Sequence, residues 1–172
     1  LSFFRYYAYL RFHGGNLLMT ATKLVILAGL GSMLLMIIAL LFQFVGNMPP
    51  CKMCYWQRYP HLFAIVIAIF YVVTKVNILK FLGLIALLST ATIGAFHAGV
   101  EQKWWEGPQS CTLGSIEGLS TDDLLTQIMA APLVRCDEIP WQLFSISMAG
   151  WNMIISVALA VLWFKALKQK TI

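Results

Sequence analysis

The sequence predicts an all-α membrane protein: a bundle of four transmembrane helices, with a long outer loop between the third and fourth that carries a short interfacial helix. Three observations carry that prediction. The chain is 60% hydrophobic and only 11% charged, with a mean hydropathy of +0.78, whereas soluble domains are ~45–50% apolar and ~25% charged. Several apolar runs are long enough to cross a ~30 Å hydrocarbon core. Basic residues are also sorted by segment in the way membrane orientation demands. The 172 residues suit one such bundle, a single membrane domain over 1–172, with little room for a second, soluble one.

Residues 1–22 carry Arg5 and Arg11 among aromatic and apolar neighbours, the pattern of a cytoplasmic or interfacial segment rather than a span. No small-residue cleavage site separates this segment from the next apolar run. The first span is expected over 24–45, and Gly46-Asn47-Met48-Pro49-Pro50 breaks it. After an outer loop at 46–56, the second span covers 57–74, with Pro60 suited to its first turn. A tight basic connection at 75–80 leads to the third span, 81–98, the most polar of the four through Ser89, Thr90, Thr92 and His97. The fourth covers 143–164 and runs into Lys165, Lys168 and Lys170.

The outer loop at 99–142 is the one long polar stretch. Ser120-Thr121-Asp122-Asp123 is a helix-start signature with acids in the first turn. Leu124, Leu125, Ile128 and Met129 then form an apolar stripe, and Pro132 ends it. Such a helix suits the membrane surface, or a place packed on its own loop.

Orientation follows from charge. With four spans, both termini and the 75–80 turn share one side. That side holds Arg5, Arg11, Lys23, Lys75, Lys80, Lys165, Lys168 and Lys170, eight of the twelve basic residues, and none of the seven acids. The positive-inside rule puts it in the cytoplasm. The net charge of +5 is therefore a topology signal. With neither a Gly-rich phosphate loop nor an interleaved basic-aromatic motif, no nucleic-acid partner is expected.

The chemistry centres on Cys51-Lys52-Met53-Cys54, followed by Arg58. On a helix these residues fall at i, i+3 and i+7 and share one face. A helix N-terminus and a guanidinium both favour thiolate, the reactive form of cysteine. A CxxC pair alone also fits half a zinc site or an inert structural disulfide. Cys111 and Cys136 lie in the other outer loop, so all four cysteines face the oxidising side, and an even set there reads as two disulfides. Four cysteines allow three pairings. A Cys51–Cys54 ring at a helix start would be labile, and a Cys111–Cys136 bridge would close a long loop with Gly107-Pro108 and Gly114 nearby. Direct exchange between the pairs requires the loop to swing toward Cys51. A four-cysteine zinc site is the metal alternative, disfavoured in an oxidising compartment, so no metal is expected.

Four helices, a CxxC with arginine four residues after its second cysteine, and a cysteine pair in the second outer loop resemble the DsbB family of bacterial inner-membrane, disulfide-generating oxidoreductases. Cys-Lys-Met-Cys-Tyr-Trp-Gln-Arg and Gly-Val-Glu-Gln-Lys-Trp-Trp carry the resemblance most specifically. It implies an enzyme that reoxidises a periplasmic thioredoxin-fold, DsbA-like dithiol oxidase and reduces a membrane quinone, ubiquinone or menaquinone. By that resemblance the partner attacks Cys111, Cys136 exchanges with Cys51, and Cys54 faces the quinone with Arg58 stabilising negative charge. The cysteines would be periplasmic and both termini cytoplasmic.

His97, near the outer end of the third span, could donate to a quinone carbonyl or make an interhelical hydrogen bond. Glu101 follows four residues on, placed for a proton relay or simply at the interface. His61 reads as an interface marker, Trp104 and Trp105 as an aromatic belt, and Asn152 as helix–helix glue. Two competing readings remain. One is a scaffold or transporter subunit with structural outer disulfides, against which the scarcity of intramembrane charge counts. The other is an enzyme similar to vitamin K epoxide reductase, in which, however, the loop pair precedes the CxxC.

Overall fold

The computed structural model describes residues 20–108, 111, 120–129 and 134–169. The expected segment at 1–22, apart from its last three residues, lies outside these, as do Gly114, Pro132 and Lys170. Four helices are long and apolar enough to cross a membrane: α1 (Ala21–Phe44), α2 (Lys52–Thr74), α3 (Ile78–Glu101) and α5 (Met148–Leu167). A short helix, α4 (Thr121–Met129), occupies the third connection. Its exposed Leu125 and Met129 belong to the apolar stripe read from the sequence.

Each boundary has a local cause. Thr20 caps α1 by accepting from the Lys23 N–H, and Asn47 takes a positive φ of 50° beyond its end. Cys51 is the N-cap of α2: its backbone is extended and its Sγ accepts from the Cys54 N–H at 3.2 Å. That cap starts the helix at Lys52, so Pro60 sits inside it rather than in its first turn. There its ring removes one backbone donor from the ladder. Lys75, left-handed at φ 56°, closes α2. Before α5, β1 (Gln142–Leu143) and β2 (Ile146–Ser147) form a small antiparallel hairpin. Its loop residues Phe144 and Ser145 both have positive φ, as a two-residue I′ turn requires. The hairpin occupies residues that the hydropathy pattern alone assigns to the fourth span. Ser147 then caps α5 by accepting from the Gly150 N–H.

The four long helices form a closed ring in the order α1, α2, α3, α5, each packed on its two neighbours. An apolar core fills the end nearest the 75–80 turn, with Val25, Tyr71, Leu87 and Trp163 fully buried. A smaller cluster, built from Cys51, Met53, Val100, Cys111 and Cys136, fills the opposite end. Between the two lies a layer of buried polar side chains: Gln57, His61, Thr90 and His97, with Ser156 on α5. Close helix approach depends on glycine at two places. A Cβ on Gly94 would stand 3.1 Å from the Ala149 carbonyl and 3.2 Å from Gln57 Oε1. One on Gly83 would stand 2.5 Å from three atoms of the Trp163 ring.

Gly83→Ala should therefore push α3 off α5 and lower the stability of the detergent-solubilised protein by about 1–3 kcal/mol. Thermal unfolding reads the loss. An unchanged midpoint would mean the Trp163 ring is free to move aside.

Candidate active site

The site forms where the first turn of α2, the last turn of α3 and the loop before α5 meet. Cys51 Sγ lies 2.8 Å from Cys54 Sγ. Cys136 Sγ lies within 4.8 Å of Cys51 Sγ and packs in one buried cluster with Cys111, and the Cys136 N–H donates to the Cys111 carbonyl at 2.8 Å. The four sulfurs thus form one series, Cys111–Cys136–Cys51–Cys54, with all but Cys54 buried. No swing is needed to bring Cys136 to Cys51, which corrects the picture of a distant loop pair. An ion-pair clasp holds it there. Lys103, at the end of α3, reaches Asp137 Oδ2 at 2.5 Å, and Arg135 reaches the same oxygen at 2.6 Å. The Asp137 carboxyl is held at about 2 by Arg135 first and by Lys103, despite partial burial.

The loop sulfur is also electrostatically favoured. The Cys136 thiol is drawn down to about 6, chiefly by the Cys51 thiol donating to it. Cys111 and the backbone N–H groups of Lys52 and Met53, at the α2 N-terminus, act in the same direction. Cys51 moves the opposite way, raised first by its contact with Cys136, so the proton of the pair stays on Cys51. Free donors at a helix start and neighbouring thiols converge on one sulfur, and they favour its thiolate form.

His97 sits beneath this series, buried, with Nε2 3.6 Å from Cys51 Sγ and 3.2 Å from the Cys136 carbonyl. The nearest Glu101 oxygen is 3.9 Å from Nε2, and the other, Oε2, is buried without a hydrogen-bond partner among the described residues. Cys51 Sγ, Cys136 Sγ and the His97 ring nitrogen lie within 4.8 Å of one another. A soft cation could span them only if Nε2 offered it a lone pair. Arg58 reaches across to α1, donating to Gln43 Oε1 at 2.6 Å and the Ala39 carbonyl at 3.2 Å. Among the described residues no carboxylate pairs with it.

Cys54, Arg58, His97 and Glu101 together line a cavity of about 370 Å³ between α1, α2 and α5. Its walls include Leu35, Phe42, Met48, Trp141 and Ile155. The cysteines and the three polar residues singled out in the sequence are therefore brought together. His61 differs from its reading as an interface marker: it is 2% exposed, with Nε2 3.0 Å from Asn152 Oδ1 and 3.3 Å from Ser156 Oγ. Trp105 folds back over the last turn of α3, donating to the Phe96 carbonyl and stacking on the Phe96 ring, while Trp104 stays exposed. Gln43 and Gln57 were missed. Gln57 carried one legible signal, an amide one turn past Cys54 in an apolar run.

The chain matches the family described as disulfide bond formation protein DsbB over residues 21–166. It is 27% identical over 151 residues to disulfide bond formation protein B of Polaromonas sp. (strain JS666), covering 81% of this chain and 86% of that one. To the protein of the same name from Shewanella sp. (strain W3-18-1) it is 28% identical over 131 residues, covering 73% and 74%. An uncharacterized protein of Rickettsia prowazekii (strain Madrid E) is 23% identical over 128 residues, covering 72% and 74%. No solved structure matches the chain.

The low value at Cys136 has a sign that can be checked. Its thiolate forms as pH rises through about 6, and the associated folding contribution is lost as pH falls through the same value. In fully reduced protein, the thiolate ultraviolet absorbance removed by Cys136→Ser should titrate near there. A midpoint in the ordinary thiol range would rule out the contacts with Cys51 and the α2 N-terminus.

Proposed function

The chain belongs to the DsbB family of disulfide-forming membrane oxidoreductases, and from that premise we propose that it oxidises a soluble dithiol protein and passes the electrons to a membrane quinone. One observation carries the proposal: the unbroken sulfur series Cys111–Cys136–Cys51–Cys54 ends at an apolar cavity lined by Cys54 and Arg58. A relay needs each thiolate to meet the next disulfide directly. Structural bridges in a scaffold have no such requirement.

The residues fit a quinone. The cavity is within the volume range of small-molecule sites and its walls are largely apolar. Arg58 offers it a guanidinium with no acidic partner among the described residues, and Glu101 Oε2 is a buried polar atom left over. Cys54, Arg58, His97 and Glu101 would hold the ring. When bound, the quinone supplies an acceptor for two electrons and two protons.

This chain's own residues do the rest. A thiolate of the reduced partner attacks Cys111 of a Cys111–Cys136 disulfide, and the bonding pair leaves on Cys136. The Cys136 thiolate attacks Cys51 of a Cys51–Cys54 disulfide. The Cys51–Cys136 bond forms, the Cys51–Cys54 bond breaks, and the pair leaves on Cys54, at the cavity wall. The partner's second thiol releases Cys111 and departs oxidised. Cys111 then attacks Cys136, restoring the loop disulfide and freeing Cys51. The Cys51–Cys54 dithiol gives up two electrons and two protons and closes again. Arg58 favours negative charge at the cavity wall throughout, since a guanidinium does not deprotonate there. The partner is a thioredoxin-fold, DsbA-like oxidase, and choosing Cys111 as its target follows the family resemblance. In this reading the cysteines face the periplasm from a bacterial inner membrane and both termini are cytoplasmic, which the basic residues of the terminal segments and the 75–80 turn support.

Purified protein given a reduced thioredoxin-like partner and ubiquinone or menaquinone should consume the quinone. Cys54→Ser should slow this by about 100-fold or more, because no Cys51–Cys54 disulfide can then form to receive the electrons. Arg58→Met should raise the KM for quinone by roughly tenfold while leaving partner exchange intact. Quinone consumption surviving Cys54→Ser would refute the mechanism.

A further inference from the structure

The polar layer has a direction of its own, fixed by groups that cannot reverse roles. A backbone carbonyl only accepts. Gln57 faces the Met53 carbonyl at 3.3 Å, so the Gln57 atom there is its NH2. That same NH2 lies 2.8 Å from His97 Nδ1, which must then be a bare acceptor. Gln57 Oε1 is left facing Asn152 at 2.8 Å, so Asn152 presents its NH2. The Asn152 NH2 also reaches Thr90 Oγ1 at 3.2 Å, whose own proton goes to the Gln57 carbonyl at 3.0 Å. Asn152 Oδ1 therefore faces His61 Nε2 as an acceptor, and His61 carries its proton on Nε2. The remaining His61 atom, Nδ1, is bare, buried and without a partner among the described residues.

At the other end, His97 holds its proton on Nε2, aimed at the Cys136 carbonyl (3.2 Å) and beside Cys51 Sγ (3.6 Å). Both neighbours of the ring agree: an NH2 against Nδ1 and a carbonyl against Nε2 admit a single neutral tautomer. Reversing it would set NH2 against N–H and carbonyl against lone pair among buried side chains, at a cost of two buried unpaired groups.

We propose that Gln57, anchored by Asn152 and the Met53 carbonyl, is a positioning residue that locks His97 in the Nε2–H tautomer, so that the ring serves the sulfur series as a hydrogen-bond donor. In that form His97 cannot take the proton of Cys51 and offers no lone pair to a metal among the sulfurs. It donates toward Cys51 when that sulfur leaves as a thiolate on restoration of the Cys111–Cys136 bond. The tautomer itself does not depend on the proposed function; only this use of it does.

Nitrogen NMR of histidine-labelled protein, with signals assigned by His13→Gln and His61→Gln, tests the lock without any quinone. His97 and His61 should both be protonated at Nε2. Nδ1 of His97 should carry the signature of a hydrogen-bonded acceptor, and Nδ1 of His61 that of a free one. Gln57→Met should move the His97 Nδ1 signal to the free position and leave His61 unchanged. It should also slow release of Cys51 from a Cys51–Cys136 disulfide by about tenfold, the loss expected for one hydrogen bond to a charged sulfur. A proton on His97 Nδ1 in the unsubstituted protein overturns the inference, whatever the variant does. So does an Nδ1 signal that ignores Gln57→Met. The expected tautomers without quinone consumption would instead sink the proposed function and leave the lock standing.

Discussion

A polar side chain between four apolar helices has no water to turn to, so it must find a partner on another helix or force the helices apart. That constraint shapes the upper half of this molecule. Gln57 on α2, Thr90 and His97 on α3 and Asn152 on α5 satisfy one another across the ring, including its α2–α5 diagonal. Each buried donor or acceptor left unmatched would cost about 1–3 kcal/mol, so the layer sets the helix spacing and rotation rather than merely tolerating them. Gly94 is part of the arrangement, since only a residue without a side chain leaves Gln57 and α5 at contact distance from α3. The sulfurs lie directly on this layer and inherit its rigidity.

A second constraint operates outside the ring. The loop before α5 would be long and polar in isolation, yet its Cys136 sulfur is buried against the start of α2. Lys103 and Arg135 converge on one Asp137 carboxylate, the residue next to Cys136. Shared carboxylates of this kind hold geometry better than single surface pairs, because one ordered anion serves two cations. The loop also lies where α2 begins with unpaired N–H groups, and a sulfur carrying negative charge suits that position.

Much of this was legible from the residues. Hydropathy found four helices because burial in lipid demands long apolar runs, and parity with charge placed all the cysteines at one end. The face shared by Cys51, Cys54 and Arg58 follows from helical spacing, and both Cys54 and Arg58 do line the same cavity. What the sequence hid was of another kind. Hydropathy is blind to caps, so it missed both the Cys51 cap that starts α2 at Lys52 and the hairpin that delays α5 to Met148. Pairing between distant elements leaves no local trace either, which is why His61 read as an interface residue, whereas Asn152 does join helices as read, to Gln57, His61 and Thr90. The nearness of Cys136 to Cys51 was hidden for the same reason, since it rests on Lys103 and Asp137, 34 residues apart.

Cys51 is a structural cap and, in the proposed relay, also a redox sulfur, and the two duties rest on different properties of one atom. Capping needs a lone pair at the right distance from the Cys54 N–H, which oxygen supplies at least as well as sulfur. Electron transfer needs a bond to another sulfur, which oxygen cannot supply. Architecture and sulfur exchange can thus be uncoupled by exchanging one element at one position, leaving a bundle that folds and displays its loop with the Cys136 sulfur still seated against the start of α2.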